Sequence, residues 1–491
     1  MTREHVVPAV PASCPATPML QQILEHPTLR DRLRGLSFGA RGVLAVALLG
    51  FLAVNAAIVL VIVSGMLDGR WYDIRDLGVP VAHLRGWMVE RGLPPAVPYL
   101  VTGLLGGLGI MSLVGGWLLI GSWVERRVLA KFQIRVGPNR VGPAGLLQPI
   151  ADAFKLMQKE SLIPQGADKF LFVIAPVLIF VPAMLGWAPV PWAKTMTYLD
   201  VNVGVLYAIA VSSIGVLAVF LAGWSSNNHY ALLGGMRTVA MMVSYEIPIS
   251  LSLLAVVLLT GSAKLSAIVD WQTNYHVWLI VLMPLAAFTF LFASTAEINR
   301  TPNDIGEAES EIVAGFHTEY SGMKAGLFVA VELGNAILVG ALFATFFLGG
   351  YTFFGLEQWF PGYLILLTKI MAIYLLFVWL RGTLPRFRLD QLMSYAWKFL
   401  IPLSIAQVMI VAVEASLFHR IDGPALVPLG FFALVNIGLT LYGVKTWASA
   451  IGWSVGLDAS PPVFAKTMGG LRAAERMRAE RAAVEAGVGS R

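Results

Sequence analysis

Acidic side chains are concentrated between residues 296 and 332, in the segment AEINRTPNDIGEAESEIVAGFHTEYSGMKAGLFVAVE, which lies between two long apolar stretches. The segment carries Glu297, Asp304, Glu307, Glu309, Glu311, Glu319 and Glu332. An ionisable group at the centre of a membrane helix costs about 2.5 to 3.5 kcal/mol on insertion scales. Carboxylates gathered at such a place therefore indicate that protons or ions are handled at a membrane surface.

Three further charges stand inside apolar stretches. Glu246 lies in VAMMVSYEIPISLSLL, where Pro248 removes a backbone donor, and Glu332 lies in LFVAVELGNAILVG, with Asn335 one turn on. Lys369 lies in LILLTKIMAIYLL. Two interpretations remain open: a Glu–Lys pair that locks two helices together, or a polar pathway along the middle of the membrane. Both predict that these side chains face the interior of the bundle.

Three loops carry charge of different sign. Residues 125–169 and 381–398 are net basic, whereas residues 297–324 are net acidic, so the loops can form ion pairs with one another. Three acids alternate with other residues: Glu307, Glu309 and Glu311. Crowded carboxylates raise one another's pKa, which is what a proton relay requires. Internal ion pairing and proton relay are both compatible with the sequence.

The elements that must position these groups are membrane helices. The chain has 491 residues, of which 57% are hydrophobic and only 13% charged, against about 25% charged in soluble domains. About 20 apolar residues cross a bilayer as a helix. Ten stretches qualify: 43–65, 99–123, 170–188, 204–223, 239–260, 278–296, 325–348, 363–380, 399–418 and 425–444. The predicted fold class is therefore all-α, a polytopic transmembrane helical bundle with about ten spans.

The placement of basic residues predicts the orientation. When the chain alternates through these spans from a cytoplasmic N-terminus, most Lys and Arg residues fall on the cytoplasmic side, as the positive-inside rule requires. Both termini are then cytoplasmic. The formal net charge of +6 is explained by topology, and binding to nucleic acid is not expected.

Redox and nucleotide chemistry are not expected in the chain itself. Cys14 is the only cysteine, whereas an iron–sulfur cluster normally needs four thiolates, and the seven histidines are scattered, so no metal site is predicted. Neither a G-x-G-x-x-G nor a G-x-x-x-x-G-K-[ST] phosphate-binding motif is present. Any electron transfer must start in a partner.

Four segments carry a specific resemblance: ERRVLAKFQIRVGPNRVGPAGLLQPIADAFKLMQKE, GWSSNNHYALLGGMRTVAMMVSYEIP, AEINRTPNDIGEAESEIVAGFHTEYSGMKAGLFVAVE and RGTLPRFRLDQLMSYAWK. In this order they resemble the quinone-site membrane subunit of proton-pumping NADH:quinone oxidoreductase, respiratory complex I. The resemblance covers residues 99–420. It implies quinone as the substrate, with FMN and iron–sulfur clusters held by partner subunits.

The resemblance also implies roles for individual residues. Positions that match the quinone cavity are Arg126, Asp152, Arg300, Phe316 and Glu319. Positions that match, or lie beside, an acidic funnel leading from that cavity into the membrane are Glu246, Glu297, Glu307, Glu309, Glu311 and Glu332. Arg237 and Arg381 match basic positions near the same funnel, and Lys369 is a third candidate basic group. The implied function is to couple quinone reduction to proton translocation through this chain of carboxylates.

The resemblance divides the chain and predicts its surroundings. The expected parts are a cytoplasmic arm (1–42), an added membrane helix with a periplasmic loop (43–98), the eight-helix family core (99–420), a second added helix (421–446) and a basic cytoplasmic tail (447–491). The expected location is the bacterial inner membrane. The expected partners are the hydrophilic subunits that carry the terminal iron–sulfur cluster, and small membrane subunits.

Three alternatives remain open from the sequence. A related membrane-bound hydrogenase-type complex contains a corresponding subunit that serves a different electron donor. A stand-alone secondary ion transporter belongs to another class, but such folds often contain internal repeats, which this chain does not show convincingly. A purely structural anchor would leave Glu246, Glu332 and Lys369 with structural roles alone.

Overall fold

The computed structural model describes residues 78–92, 94, 96–306, 314–356, 359–418 and 426–450, and every regular element in these residues is helical. Several features expected from the sequence lie outside the described residues. They are the arm 1–42, the span 43–65, most of the tail 447–491, and the acids Glu307, Glu309 and Glu311.

The α-helices follow in chain order. They are α1 Gly78–Glu90, α2 Ala96–Phe132, α3 Gln148–Gln158, α4 Lys169–Leu185, α5 Gly204–Ser225, α6 His229–Thr260, α7 Leu265–Tyr275, α8 Leu279–Leu282, α9 Pro284–Glu297, α10 Gly322–Phe347, α11 Gly362–Thr383, α12 Leu389–Tyr395, α13 Ile401–Phe418 and α14 Leu426–Ala450. Short 3₁₀ turns occupy Pro143–Gly145 and Gly315–His317, and a π-helical turn, Ala396–Leu400, joins α12 to α13.

The helical membrane bundle predicted from the sequence is confirmed. Among the described residues, six helical segments are long and apolar enough to cross a membrane: α2, α5, α6, α10, α11 and the continuous stretch from α12 through α13. Helix α4 and the stretch Pro428–Gly443 of α14 are shorter apolar helices. Helix α2 has 37 residues and is therefore about 55 Å long, so it extends well beyond a hydrocarbon layer of about 30 Å.

Three elements differ from the sequence prediction. The expected span 278–296 is not one helix, because it is interrupted at Met283, where the backbone is non-helical and Pro284 supplies no amide hydrogen. Helix α1 lies within the expected periplasmic loop 66–98, and α7 lies between two predicted spans. Both are too short to produce a span-length hydropathy signal.

Helix α6 is the central element of the bundle, packed against α5, α9 and α13. It begins at Asn228, whose side chain accepts a hydrogen bond from the Tyr230 amide at 2.9 Å, and it ends at Gly261, which is left-handed with φ 68°. Gly234 lets the loop before α10 approach closely: a Cβ there would lie 2.7 Å from Gly315 Cα. The charged loop is therefore seated directly on the central helix.

The loops alternate between two ends of the bundle. Residues 133–168, 226–228, 298–321 and 384–388 meet at one end, here called the charged end, where Leu162 N donates to Ser321 Oγ at 3.0 Å and Phe387 N donates to Pro302 O at 3.1 Å. The loops at the other end, here called the opposite end, include residues 348–361.

Lys369 contributes to the fold at the opposite end. Its ammonium donates hydrogen bonds to three backbone carbonyl oxygens, those of Leu348 at 2.6 Å, Gly350 at 2.9 Å and Thr352 at 2.6 Å. The rings of Trp278 and Phe353 lie 5.3 and 5.6 Å from the same nitrogen. The charge therefore occupies the C-terminal end of α10, where helix carbonyls lack amide partners and a cation is favoured.

Replacement of this lysine should destabilise the bundle. We expect Lys369→Met to lower the thermal denaturation midpoint of the purified protein by several degrees, because the three carbonyls lose their buried donor. Lys264→Met is the matched control: the Lys264–Asp200 pair, at 2.7 Å, is 33% and 42% exposed, and exposed pairs contribute little. Equal shifts in the two variants would contradict this role.

Candidate functional site

Two carboxylates inside the bundle contact neighbouring serines. Glu246 of α6 accepts a short hydrogen bond from the Ser213 hydroxyl, and Glu297, at the end of α9, accepts one from Ser212. Both serines lie on α5, next to each other in the chain. The two carboxylates are close enough to repel each other electrostatically. The structure therefore brings together two acids that are 51 positions apart in the sequence.

A cavity of about 80 Å³ lies beside this pair, between α4, α5, α6, α9 and α10. Most of its wall is apolar, and its polar side chains are Ser212, Glu297 and Asn335. It is wide enough for several water molecules, which need polar partners of this kind. A carboxyl, an amide and a hydroxyl around such a space can hold water and exchange a proton with it.

The other intramembrane candidates lie on the same two helices. Glu332 is one turn before Asn335 on α10, so the two share a helix face. Arg237 lies nine residues before Glu246 on α6, toward the charged end. Lys369 is separate, since its ammonium reaches the backbone of residues 348–352.

Glu125 is the most heavily paired carboxylate described at the charged end. It is 7% exposed and accepts hydrogen bonds from the guanidinium groups of Arg300 and Arg381. The Tyr374 hydroxyl lies 3.1 Å from its second oxygen. One carboxylate thus connects the end of α2, the loop after α9 and the end of α11. From the sequence, Glu125 counted only toward the charge of its loop, and its position directly before two arginines was the available signal.

Arg126 and Asp152 form a second pair, with Arg126 Nη1 donating to Asp152 Oδ2 at 2.5 Å. Gln148 adds a hydrogen bond to Asp152 at 3.1 Å. The two paired side chains are 52% and 26% exposed. Helix α3 thus presents a charged pair at the surface of the charged end.

The loop before α10 holds the remaining expected residues. Asn228 donates to Glu319 at 2.7 Å, which ties the start of α6 to this loop. Phe316 is 1% exposed and packs edge-on against Phe328, with ring centroids 5.4 Å apart. Its ring is therefore enclosed by protein, whereas Glu319 is only partly buried.

Tyr320 completes the aromatic cluster of this loop. It stacks on Phe172 with ring centroids 4.0 Å apart, and burial raises the pKa of Tyr320 to about 12 against a smaller lowering by its hydrogen bond with Ser225. The phenol therefore remains neutral at physiological pH and anchors the loop.

Internal ion pairing accounts for part of the charge at the charged end. Asp304 pairs with Arg386 at 2.6 Å, and Glu125 and Asp152 have the basic partners given above. These contacts join the acidic loop to both basic loops, as the loop charges allow. No group of three or more metal-ligating side chains occurs in the described part of the chain.

Comparisons with known proteins agree with this arrangement of loops and helices. The sequence matches the family described as NADH dehydrogenase over residues 106–412. It is 49% identical over 345 residues to an NADH-quinone oxidoreductase subunit of Dehalococcoides mccartyi strain CBDB1, an alignment that covers 70% of this chain and 93% of the relative. It is 44% identical over 334 residues to the protein of the same name from Geobacillus kaustophilus strain HTA426, covering 67% and 100%.

A third relative gives the same result. The NADH-quinone oxidoreductase subunit of the same name from Rickettsia typhi strain Wilmington is 47% identical over 307 residues, which is 62% of this chain and 90% of the relative. The matched residues include most of α2, all of α3 through α11 and all of the site described above. The chain therefore belongs to the NADH dehydrogenase family, among the membrane subunits of NADH-quinone oxidoreductase.

Proposed function

We propose that this chain is the quinone-site membrane subunit of an NADH:quinone oxidoreductase and that it couples quinone reduction to proton translocation. The observation that carries the proposal is the pair Glu246 and Glu297, each bonded to one of two adjacent serines beside a cavity. The names of the relatives support quinone as the substrate rather than the hydrogen chemistry of a hydrogenase-type complex.

Electrons reach the quinone from a neighbouring subunit. With a single cysteine, this chain does not supply the four thiolates that an iron–sulfur cluster normally requires. FMN and the clusters therefore belong to hydrophilic partner subunits, which dock on the charged end. Small membrane subunits contact the apolar flanks of the bundle.

The quinone head group binds at the charged end, between this chain and its partner. Arg126, Asp152, Arg300 and Glu319 are the polar groups that this chain supplies. The partial exposure of the Arg126–Asp152 pair supports the assignment, because these groups are open to a ligand or to a covering subunit. Phe316 contributes from beneath by holding the loop that carries Glu319.

Reduction of the quinone changes the charge next to Arg300. This arginine follows Glu297 by three residues, and its amide donates to Thr295 O at 3.0 Å, so both side chains belong to the same terminal turn of α9. A change in the attraction between Arg300 and Glu125 is therefore felt at Glu297 and, through repulsion, at Glu246. Coupled acids of this kind share protons as a set.

The proton pathway continues along the membrane through Glu332 and the acids at 307, 309 and 311, with Arg237 and Arg381 tuning their charge. The charged end faces the cytoplasm of a bacterial inner membrane, since its loops carry the excess of Lys and Arg. Lys369, which binds carbonyl oxygens at the opposite end, supports the helices rather than the pathway.

Substitution of the acid on α6 should uncouple the complex. We expect Glu246→Gln to assemble normally and to lower NADH-driven quinone reduction and proton pumping about tenfold or more, because the amide keeps the shape but cannot carry a proton. The measurement is NADH oxidation and acidification of inverted membrane vesicles. Glu160→Gln, which alters an exposed acid at the charged end, is the control. Full activity and pumping in the Glu246 variant would sink the relay.

The pair on α3 should act at the quinone alone. We expect Asp152→Asn to lower quinone reduction about tenfold, because Arg126 loses its charged partner. Electron entry from NADH to an artificial water-soluble acceptor should be unchanged, since that step occurs in partner subunits. Asp390→Asn, at an exposed position on α12, is the control. Equal loss of both activities in the Asp152 variant would instead indicate failed assembly.

A further inference from the structure

Three polar side chains are buried together between α13 and α14, apart from the cavity described above. Gln407, Glu414 and Asn436 are 1%, 5% and 0% exposed. The family match ends at residue 412, so the acid and its asparagine partner both lie beyond it. Helix α14 also packs on α8 and α9, and Gly443 brings it close to Leu403 of α13.

Asn436 is the centre of a short chain of hydrogen bonds. Its side-chain nitrogen lies 2.9 Å from each oxygen of Glu414 and 3.1 Å from Phe432 O. Its side-chain oxygen accepts from Gln407 Nε2 at 3.2 Å. A primary amide has two N–H bonds, and one is directed to Phe432 O. Glu414 therefore receives a single N–H, shared between its two oxygens.

One neutral donor is insufficient for an ionised carboxylate in this place. An ionised carboxylate offers about four acceptor positions, and a buried charge in a membrane span needs a partner. Glu125 provides the comparison within this molecule: it is buried to a similar degree but contacts two guanidinium groups. In the described part of the chain, Glu414 has no ion-pair partner.

The helices packed against α13 do not change this balance. In the described residues, none of their acidic or basic side chains is within ion-pair distance of Glu414. These side chains are His229, Arg237 and Glu246 on α6, Glu297 on α9, Lys398 in the π-helical turn, Asp390 on α12 and Lys445 on α14.

We propose that Glu414, Asn436 and Gln407 form an intramembrane proton-binding site in which Glu414 holds the proton. A second observation supports a proton-donating occupant. Gln407 Oε1 is buried and has no hydrogen-bond partner, and a buried acceptor of this kind is normally satisfied by water or another donor. A water molecule at Gln407 would place an exchangeable proton in the same hydrogen-bond chain.

Proton binding at this site is linked to the docking of α14. Glu414 belongs to α13 and Asn436 to α14, so the proton allows the two helices to pack without water between them. Loss of the proton would leave a charge at the interface, which favours hydration and separation of the helices. The site thus makes the added helix part of the protonation chemistry of the bundle.

Infrared difference spectroscopy tests the proposal. We expect the spectrum of the parental protein minus that of Glu414→Gln, both purified with their accompanying subunits at pH 7, to retain one C=O stretching band of a protonated carboxyl group that shifts in D₂O. The control, Glu160→Gln, should remove carboxylate bands instead. Removal of carboxylate bands by Glu414→Gln would overturn the proposal.

A second variant keeps the test decisive if Glu414→Gln fails to assemble. Asn436→Leu should leave the protonated-carboxyl band in place but move it to higher frequency, because the C=O group loses its amide donor. An unmoved band, or no protonated-carboxyl band at that position, would also overturn the proposal. The readout needs no electron transfer, so its failure is distinguishable from failure of the proposed coupling function.

Discussion

The structure depends on how each buried carboxylate is stabilised inside an apolar bundle. A carboxyl group in such surroundings needs opposite charge, several hydrogen-bond donors or a proton. Glu125 has two guanidinium groups, Glu246 and Glu297 each have one serine hydroxyl, and Glu414 has one amide. These different partners assign the acids different roles: a fixed ion-pair centre, a mobile pair beside a cavity, and a proton-holding site.

Helix positions make these environments possible. Central helix α6 places Glu246 against α5, and the break at Met283 lets α9 begin at Pro284 and end with Glu297 at the same cavity. The turn that follows carries Arg300 to Glu125. A surface event at the charged end is thereby connected to a carboxylate within the membrane by a single helical turn, which is the physical basis of the proposed coupling.

Sequence reasoning predicted much of this fold, because a long apolar stretch in a membrane has few conformations available. It did not predict the break before Pro284, since hydropathy averages over a window and is insensitive to one missing amide hydrogen. The clustering of Glu246 with Glu297 and the Glu125–Arg300–Arg381 contact were not visible either. They depend on helix rotation and on pairing between loops that are distant in the chain.

Lys369 shows the limit of reading single charges. From the sequence, a buried lysine suggests a carboxylate partner or a polar pathway, but its ammonium binds the carbonyl oxygens that end α10. Backbone groups leave no signature in side-chain patterns. Glu414 is the converse case, because an isolated acid near the end of an apolar stretch gave no signal until Asn436 was found beside it.

The most direct test of the central claim is infrared difference spectroscopy of the NADH-reduced minus oxidised complex, applied to single and double glutamine substitutions of Glu246 and Glu297. If the two acids share protons, a carboxyl band that disappears in Glu297→Gln should shift in Glu246→Gln, and the double substitution should differ from the sum of the single effects. Redox-induced carboxyl bands that are identical in parental and variant proteins would contradict the account.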